Sequence, residues 1–437
     1  ENVFPGAQRH RPLEVLKLVL FELQAIQGSL SQTKTTEQKE EFEQEKKGGW
    51  SLMKVFLVCL LACVITTAIG VLALSLVYVN NPAIVRETGV KDDSTSSPKP
   101  AEQSVDVKFQ FLNRLGKSKV HNYPGGEIQW ARFRKDISEY GSDEEMAFGT
   151  SINNHRSQMT FGTLRIKSNG LRAPHWHFNA NEHGYLLQGS AWIGVIGADS
   201  VVTTYNVTAG QVIFFPRNTV HWIKNPPGGV NFIRTFKRQA EDQAVNLPPN
   251  LDELVQNATY VQSPDPLVWQ YFYNLRGSRE YPFTGGVFQW ARYQQNGTGL
   301  NDTEKIFSES LHKHENTLTL ATLRIFSNGL GQPHFHFNAN EMGYVASGCG
   351  RASVILSGVT TSFDIGIGDV IFFPVGTQHY IKSLCDEDLL LVLAYNTGNQ
   401  LETLRMNSYF RSTADHVLAQ LFFKKQDEFK FLKVVKK

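Results

Sequence analysis

Three histidines and a glutamate recur in one order at two places in this chain. The first set is His175, His177 and Glu182, within Pro174-His175-Trp176-His177-Phe178-Asn179-Ala180-Asn181-Glu182, and is completed by His221. The second, about 159 residues on, is His334, His336 and Glu341, within Pro333-His334-Phe335-His336-Phe337-Asn338-Ala339-Asn340-Glu341, completed by His379. Three imidazoles and one carboxylate, with no thiolate, suit manganese or iron better than a closed structural zinc site. A divalent ion held this way carries a net charge of about +1 and keeps two octahedral positions open for a small acid that binds through oxygen. A lone histidine is more often a hydrogen-bonded core residue. Here six of the 13 histidines fall in matched sets, and the repeated spacing favours metal.

The spacing also says what must carry these groups. Alternate side chains of a strand share a face, so His175 and His177 point to one side and Trp176 to the other. Segment 178–181 turns the chain and sets Glu182 early on the next strand. His221 follows a turn running from Gly210 to Pro216 that feeds a further strand. Glycine (35) and phenylalanine (29) are plentiful, and short β-branched or aromatic runs end at Gly, Pro or Asn, the pattern of a mainly β chain. Gly125-Gly126-Glu127-Ile128-Gln129-Trp130-Ala131-Arg132 recurs as Gly285-Gly286-Val287-Phe288-Gln289-Trp290-Ala291-Arg292, and Thr163-Leu164-Arg165-Ile166 as Thr322-Leu323-Arg324-Ile325. Gly210-Gln211-Val212-Ile213-Phe214-Phe215-Pro216 returns as Gly368-Asp369-Val370-Ile371-Phe372-Phe373-Pro374. Two homologous β domains, 107–246 and 247–437, follow, each expected to close as an antiparallel barrel or jelly roll. The second ends in a helical segment, with Ser412-Thr413-Ala414-Asp415 read as an N-cap before Val417, Leu418, Leu421 and Phe422.

The formal net charge is only +2, with acids and bases mixed, which leaves no basic stripe for nucleic acid. Residues 55–79 are apolar over a length that matches the ~20 needed to span a bilayer. Lys46, Lys47 and Lys54 precede that run and orient the N-terminus to the cytosol. The length favours a signal-anchor, giving a type II single-pass protein. The first methionine, Met53, keeps open a cleaved signal peptide and a secreted protein. Residues 1–54 then form a cytosolic tail or are absent from the mature chain, and 80–106 form a polar linker. Sequons at Asn206, Asn257, Asn296 and Asn301, all downstream, agree with a glycoprotein in the secretory lumen or outside the cell. Cys349 and Cys385 are open to either a disulfide or two buried thiols.

With these motifs the chain resembles the cupin superfamily, and within it the two-domain oxalate decarboxylase type, over residues 107–430. The residues that carry the likeness are His177-x4-Glu182-x6-Gly189 and His336-x4-Glu341-x6-Gly348, with Gly210-x5-Pro216-x4-His221-x3-Asn225 and Gly368-x5-Pro374-x4-His379 downstream. The implied fold is all-β: two tandem cupin jelly-roll barrels with a few peripheral helices, here behind one N-terminal membrane helix. The resemblance implies manganese in each domain, with iron or another divalent metal as the alternative. It also implies dioxygen as cofactor and cleavage of oxalate to formate and carbon dioxide, mainly in the first domain. In that family an arginine three residues before the first histidine contacts the substrate carboxylate. Arg172 stands there, and Gly331 stands at the matching place of the second repeat. The family's proton-transfer glutamate follows the first barrel on a serine-rich lid. Here that stretch offers Glu241, with Asp242 beside it, and lacks the serine-rich pattern. Oxalate oxidase, another metal-dependent cupin enzyme and a non-enzymatic exported storage or metal-binding protein are the competing readings. Homo-oligomers, trimers or hexamers joined in part by the terminal helix near 413–423, are also implied.

Overall fold

The computed structural model describes residues 105–197, 199–229, 231–238, 242–243 and 247–433. The expected membrane segment 55–79, the tail before it and Glu241 lie outside them. Among the described residues no helix is long and apolar enough to cross a membrane.

The described chain is mainly β, and its strands repeat. Met159–Ile166, Leu171–His177, Glu182–Ile196, Val202–Thr208, Val212–Phe215, Val220–Lys224 and Asn231–Arg238 make the first set. Thr319–Ile325, Leu330–His336, Glu341–Ser347 with Cys349–Leu356, Val359–Gly366, Asp369–Phe373, Gln378–Ser383 and Leu389–Tyr395 make the second. In the first barrel the strand Glu182–Ile196 belongs to both walls. Its first half pairs antiparallel with Val212–Phe215 and Asn231–Arg238, and its second half with Val202–Thr208 and Val220–Lys224. The second barrel breaks the same strand at Gly348. That residue holds φ +75°, and a Cβ there would meet the Asp388 carbonyl oxygen at 2.6 Å, so only glycine turns the corner without strain. The Cys349–Cys385 disulfide forms and ties the restarted strand to the loop after Gln378–Ser383.

The runs Val212–Phe215 and Asp369–Phe373 are apolar almost without a break because both of their faces are covered. Ile213 and Phe215 enter the core of the first barrel, and Ile371 and Phe373 that of the second. Val212, Phe214, Val370 and Phe372 enter a third core that joins the barrels. Two equivalent helices seal that joint. Asp143–Asn154 is capped by the Ser142 hydroxyl and contributes Phe148 and Ile152. Asp302–Lys313 starts at an Asn301/Glu304 capping box and contributes Phe307 and Leu311.

The leading strand of each repeat crosses to the other barrel. Leu112–Arg114 pairs with Asp369–Phe373, and Phe272–Tyr273 pairs with Val212–Phe215. The C-terminal helix also differs in detail from its sequence reading. It runs Asp415–Phe422 with Ala414 at the N-cap and no capping side chain. Ser412 is instead the last residue of a preceding helix, Met406–Ser412, and the Thr413 hydroxyl donates back to the Tyr409 carbonyl oxygen.

Candidate metal centres

His175 and His177 end the strand Leu171–His177, Glu182 opens Glu182–Ile196, and His221 lies on Val220–Lys224, opposite His175 in register. All four are buried, as the alternation predicts. The turn between them is held by its asparagine: the Arg217 backbone N–H donates to Asn181 Oδ1 at 2.7 Å, and the Asn218 N–H donates to the His177 carbonyl at 2.7 Å. That clamp joins the turn bearing Glu182 to the turn before His221. In the second repeat the Val375 N–H donates to Asn340 Oδ1 and the Gly376 N–H to the His336 carbonyl, both at 2.9 Å.

Each imidazole is aimed. His175 Nδ1–H donates to the Ala173 carbonyl and His221 Nδ1–H to the Thr219 carbonyl, which leaves each Nε2 facing the centre. His334 and His379 do the same with Gln332 and Thr377, and His336 Nδ1 meets the Thr403 hydroxyl at 2.8 Å. Phe215 stacks on His221 and Phe373 on His379, with ring centroids 4.1 and 4.2 Å apart. The ligand atoms of each set all lie within 4.8 Å of one another.

The donor set fits a divalent ion. His221 Nε2 and His379 Nε2 are buried and make no hydrogen bond among the described residues, which is costly for a nitrogen lone pair unless a cation takes it. Burial, with the neighbouring imidazoles, holds His221 well below the ordinary histidine range and brings His334 down to about 3, so both are neutral donors at neutral pH. Burial raises Glu182 and Glu341. In Glu182 this is outweighed by the Lys237 charge and His177, and in Glu341 by His336 and His379, so both carboxyls stay ionised. An ion bound here would be held by His175, His177, Glu182 and His221, and a second by His334, His336, Glu341 and His379.

Arg172, the residue that the resemblance singles out, has Nη2 3.2 Å from His175 Nε2. Beside it opens a cavity of about 540 Å³ whose lining includes Arg172, Arg132, Trp130 and Lys237. The cavity of about 530 Å³ over the second site is lined by His334, His336, Tyr395, Arg292 and Arg405. Sequence reasoning missed three of these residues. Lys237 is buried with Nζ 3.4 Å from Glu182 Oε2 and 3.2 Å from His177 Nε2. Its counterpart is Tyr395: Lys237 faces Glu182 in register as Tyr395 faces Glu341. Each stands sixteen residues after the last histidine of its set, and that matched spacing was the available signal. Arg405 restores a cation to the site that has Gly331 in place of an arginine. It arrives on Thr403–Arg405, opposite His334. Asp242 lies opposite His177 in register, the place Thr403 holds opposite His336.

A family model described as cupin matches residues 150–266 and 294–428, together more than half of the chain. A CLLAC-motif containing domain matches 49–78, outside the described residues. Among curated relatives, an oxalate decarboxylase of Bacillus subtilis is 23% identical over 258 residues, 52% of this chain and 65% of that protein. An oxalate decarboxylase of Arthroderma benhamiae is 22% identical, over 59% of this chain and 70% of its own length. The legumin B of Pisum sativum is 28% identical over 121 residues, 24% of this chain and 35% of that protein. Among solved structures, the B. subtilis oxalate decarboxylase at pH 4.6 superposes with a TM-score of 0.56 and 18% identity, over 79% of this chain and 87% of that one. A formate complex of the Lactobacillus farciminis enzyme gives 0.56 and 15%, over 79% and 98%. At these identities the structural likeness speaks for the fold.

Proposed function

This chain belongs to the cupin family, and on that premise we propose that it is a manganese-dependent, oxalate decarboxylase-like bicupin. The proposed reaction takes oxalate to formate and carbon dioxide with dioxygen as cofactor, in the first barrel. The observation that carries the reading is Arg172, a guanidinium 3.2 Å from the His175 imidazole and lining the adjoining cavity.

The bound metal would supply Lewis acidity to a coordinated carboxylate. Arg172 pairs with that carboxylate through its planar fork and fixes which oxygens face the imidazoles. Trp130 walls the cavity and keeps water from the face of the acid. Glu241, with Asp242 beside it, accepts the substrate proton and returns one to the carbon that becomes formate. Two features support export of the chain through residues 55–79, as a type II anchored or a secreted protein: the exposure of all four sequon asparagines and the Cys349–Cys385 disulfide. Oxalate oxidase is the second reading, favoured by the lack of a serine-rich lid, because rapid protonation is what separates formate from peroxide.

The test is to express the chain with manganese and follow oxalate, formate, hydrogen peroxide and metal content under air. Formate is expected in step with oxalate loss, with kcat/KM reduced roughly 10²- to 10³-fold in Arg172→Ala. Glu241→Ala is expected to suppress formate. Peroxide without formate assigns the oxidase instead, and a metal-loaded protein inert to oxalate overturns both.

A further inference from the structure

The two sites share four ligands but not the fifth neighbour. In the first, the Lys237 ammonium lies 3.4 Å from Glu182 Oε2 and 3.2 Å from His177 Nε2, with Trp130 5.2 Å from it across the ring face. In the second, the same register position carries Tyr395, a phenol in place of an ammonium. Lys237 therefore sets a buried positive charge on the Glu182 carboxylate that Glu341 does not meet, and Arg172, 3.2 Å from His175 Nε2 where the second repeat has Gly331, adds to the same difference. The ligand spacing differs in the same sense. Two donors at right angles, each ~2.1 Å from an ion, stand about 3 Å apart. Glu341 Oε2 lies 2.9 Å from His336 Nε2 and 3.3 Å from His379 Nε2, close to that edge on both sides. Glu182 Oε2 lies 2.8 Å from His177 Nε2 but 3.9 Å from His221 Nε2.

We propose that the two barrels bind divalent cations with unequal affinity: the second tightly, the first weakly, because Lys237 already neutralises Glu182 there. To load, the first site must move a buried ammonium off its carboxylate and then hold a doubly charged ion beside it. Like charges this close, in surroundings shielded from water, repel far more than they would in solution. The second site meets no such charge in its inner wall. Arg405, the cation at its mouth, is exposed and screened by solvent. The proposal rests on the reading of both sets as cation sites. It is independent of oxalate as the substrate.

The experiment is equilibrium binding without substrate. The full chain is stripped with chelator and titrated with Mn²⁺, and the paramagnetic resonance of the free aqueous ion reports what remains unbound. Two classes are expected, one equivalent each, separated by about tenfold or more in affinity. Lys237→Met should convert the weak class to a tight one, and His379→Ala should remove the tight class and leave the weak one. Tyr395→Lys should weaken the tight class alone, with the metal-free melting midpoint confirming that each variant folds. Equal affinities in the parent protein, or an unchanged weak class in Lys237→Met, overturn the proposal. Two classes in a protein that ignores oxalate would sustain it while removing the decarboxylase reading. No binding by either site would end both.

Discussion

His183 is next to a metal ligand in sequence but faces the other way, out of the barrel and into the joint. Its Nε2–H donates to Asn316 Oδ1 at 2.9 Å, while Nδ1 is buried and has no hydrogen-bond partner among the described residues. Protonating Nδ1 would bury a charge with no acceptor, and burial accordingly brings its pKa to about 4. The unfolded chain takes up that proton near pH 6.5, so it binds more protons than the native state between those values. Stability contributed here is complete above pH 6.5 and is lost as pH falls toward 4, by about 3 kcal/mol. Acid unfolding followed by denaturant midpoint should show this slope, and His183→Gln should flatten it. An unchanged slope would mean that other groups carry the acid sensitivity. Arg405 supports a second expectation at this scale. Arg405→Ala should weaken carboxylate binding at the second site and leave Arg172-dependent turnover in the first unaltered, as read by inhibitor titration on each. The eight residues that converge in the two candidate metal sites were legible in the sequence because strand alternation and repetition both act locally. Lys237, Tyr395 and Arg405 were not, because only the sheet register carries them to the ligands.

At the scale of elements, both barrels turn the same corner on a glycine of positive φ, Gly189 and Gly348, and the second adds a covalent link beside it. The strand Glu182–Ile196 runs unbroken through two walls, whereas Glu341–Ser347 and Cys349–Leu356 are separate strands hinged at Gly348. The Cys349–Cys385 bond closes the hinge across a sequence separation of 36. On loop-closure entropy such a link contributes about 4 kcal/mol by restricting the unfolded chain. The Cys349→Ala/Cys385→Ala double variant should therefore unfold at a clearly lower denaturant concentration. Reductant should produce the same shift in the parent protein and none in the variant. Coincident curves would show that the strand pairing alone sets the hinge. Two cysteines far apart in sequence could not choose between thiol and disulfide, since the choice depends on how the strands bring them together. The cap of the last helix was misread for a related reason: Ser412 has the right type for an N-cap but is already the end of the helix before it.

The molecule as a whole is tied by exchange, and this limits what can be cut from it. Val212–Phe215 loses its outer partner if the chain stops at residue 246, because Phe272–Tyr273 supplies that partner. The same cut removes Val268, Tyr271 and Phe272 from the core of the first barrel. Burying one such side chain contributes ~1.5–3 kcal/mol. The loss therefore approaches the 5–15 kcal/mol by which a whole domain is stable. A fragment of residues 107–246 should show no cooperative melt. A fragment of 115–278 drops the strand owed to the second barrel and keeps the one borrowed from the second repeat, so it should melt cooperatively. It should also self-associate, since Val212 and Phe214, which enter the joint, are left open to solvent together with Phe161 and Phe236. Differential scanning calorimetry with light scattering on the two fragments decides the matter. A cooperative transition in 107–246 equal to that of 115–278 would show that each repeat folds within its own sequence bounds. The repeat boundary is visible in the sequence as self-similarity, but the exchange is not: both leading strands are short, and only their long-range pairing with Asp369–Phe373 and Val212–Phe215 shows which barrel each joins.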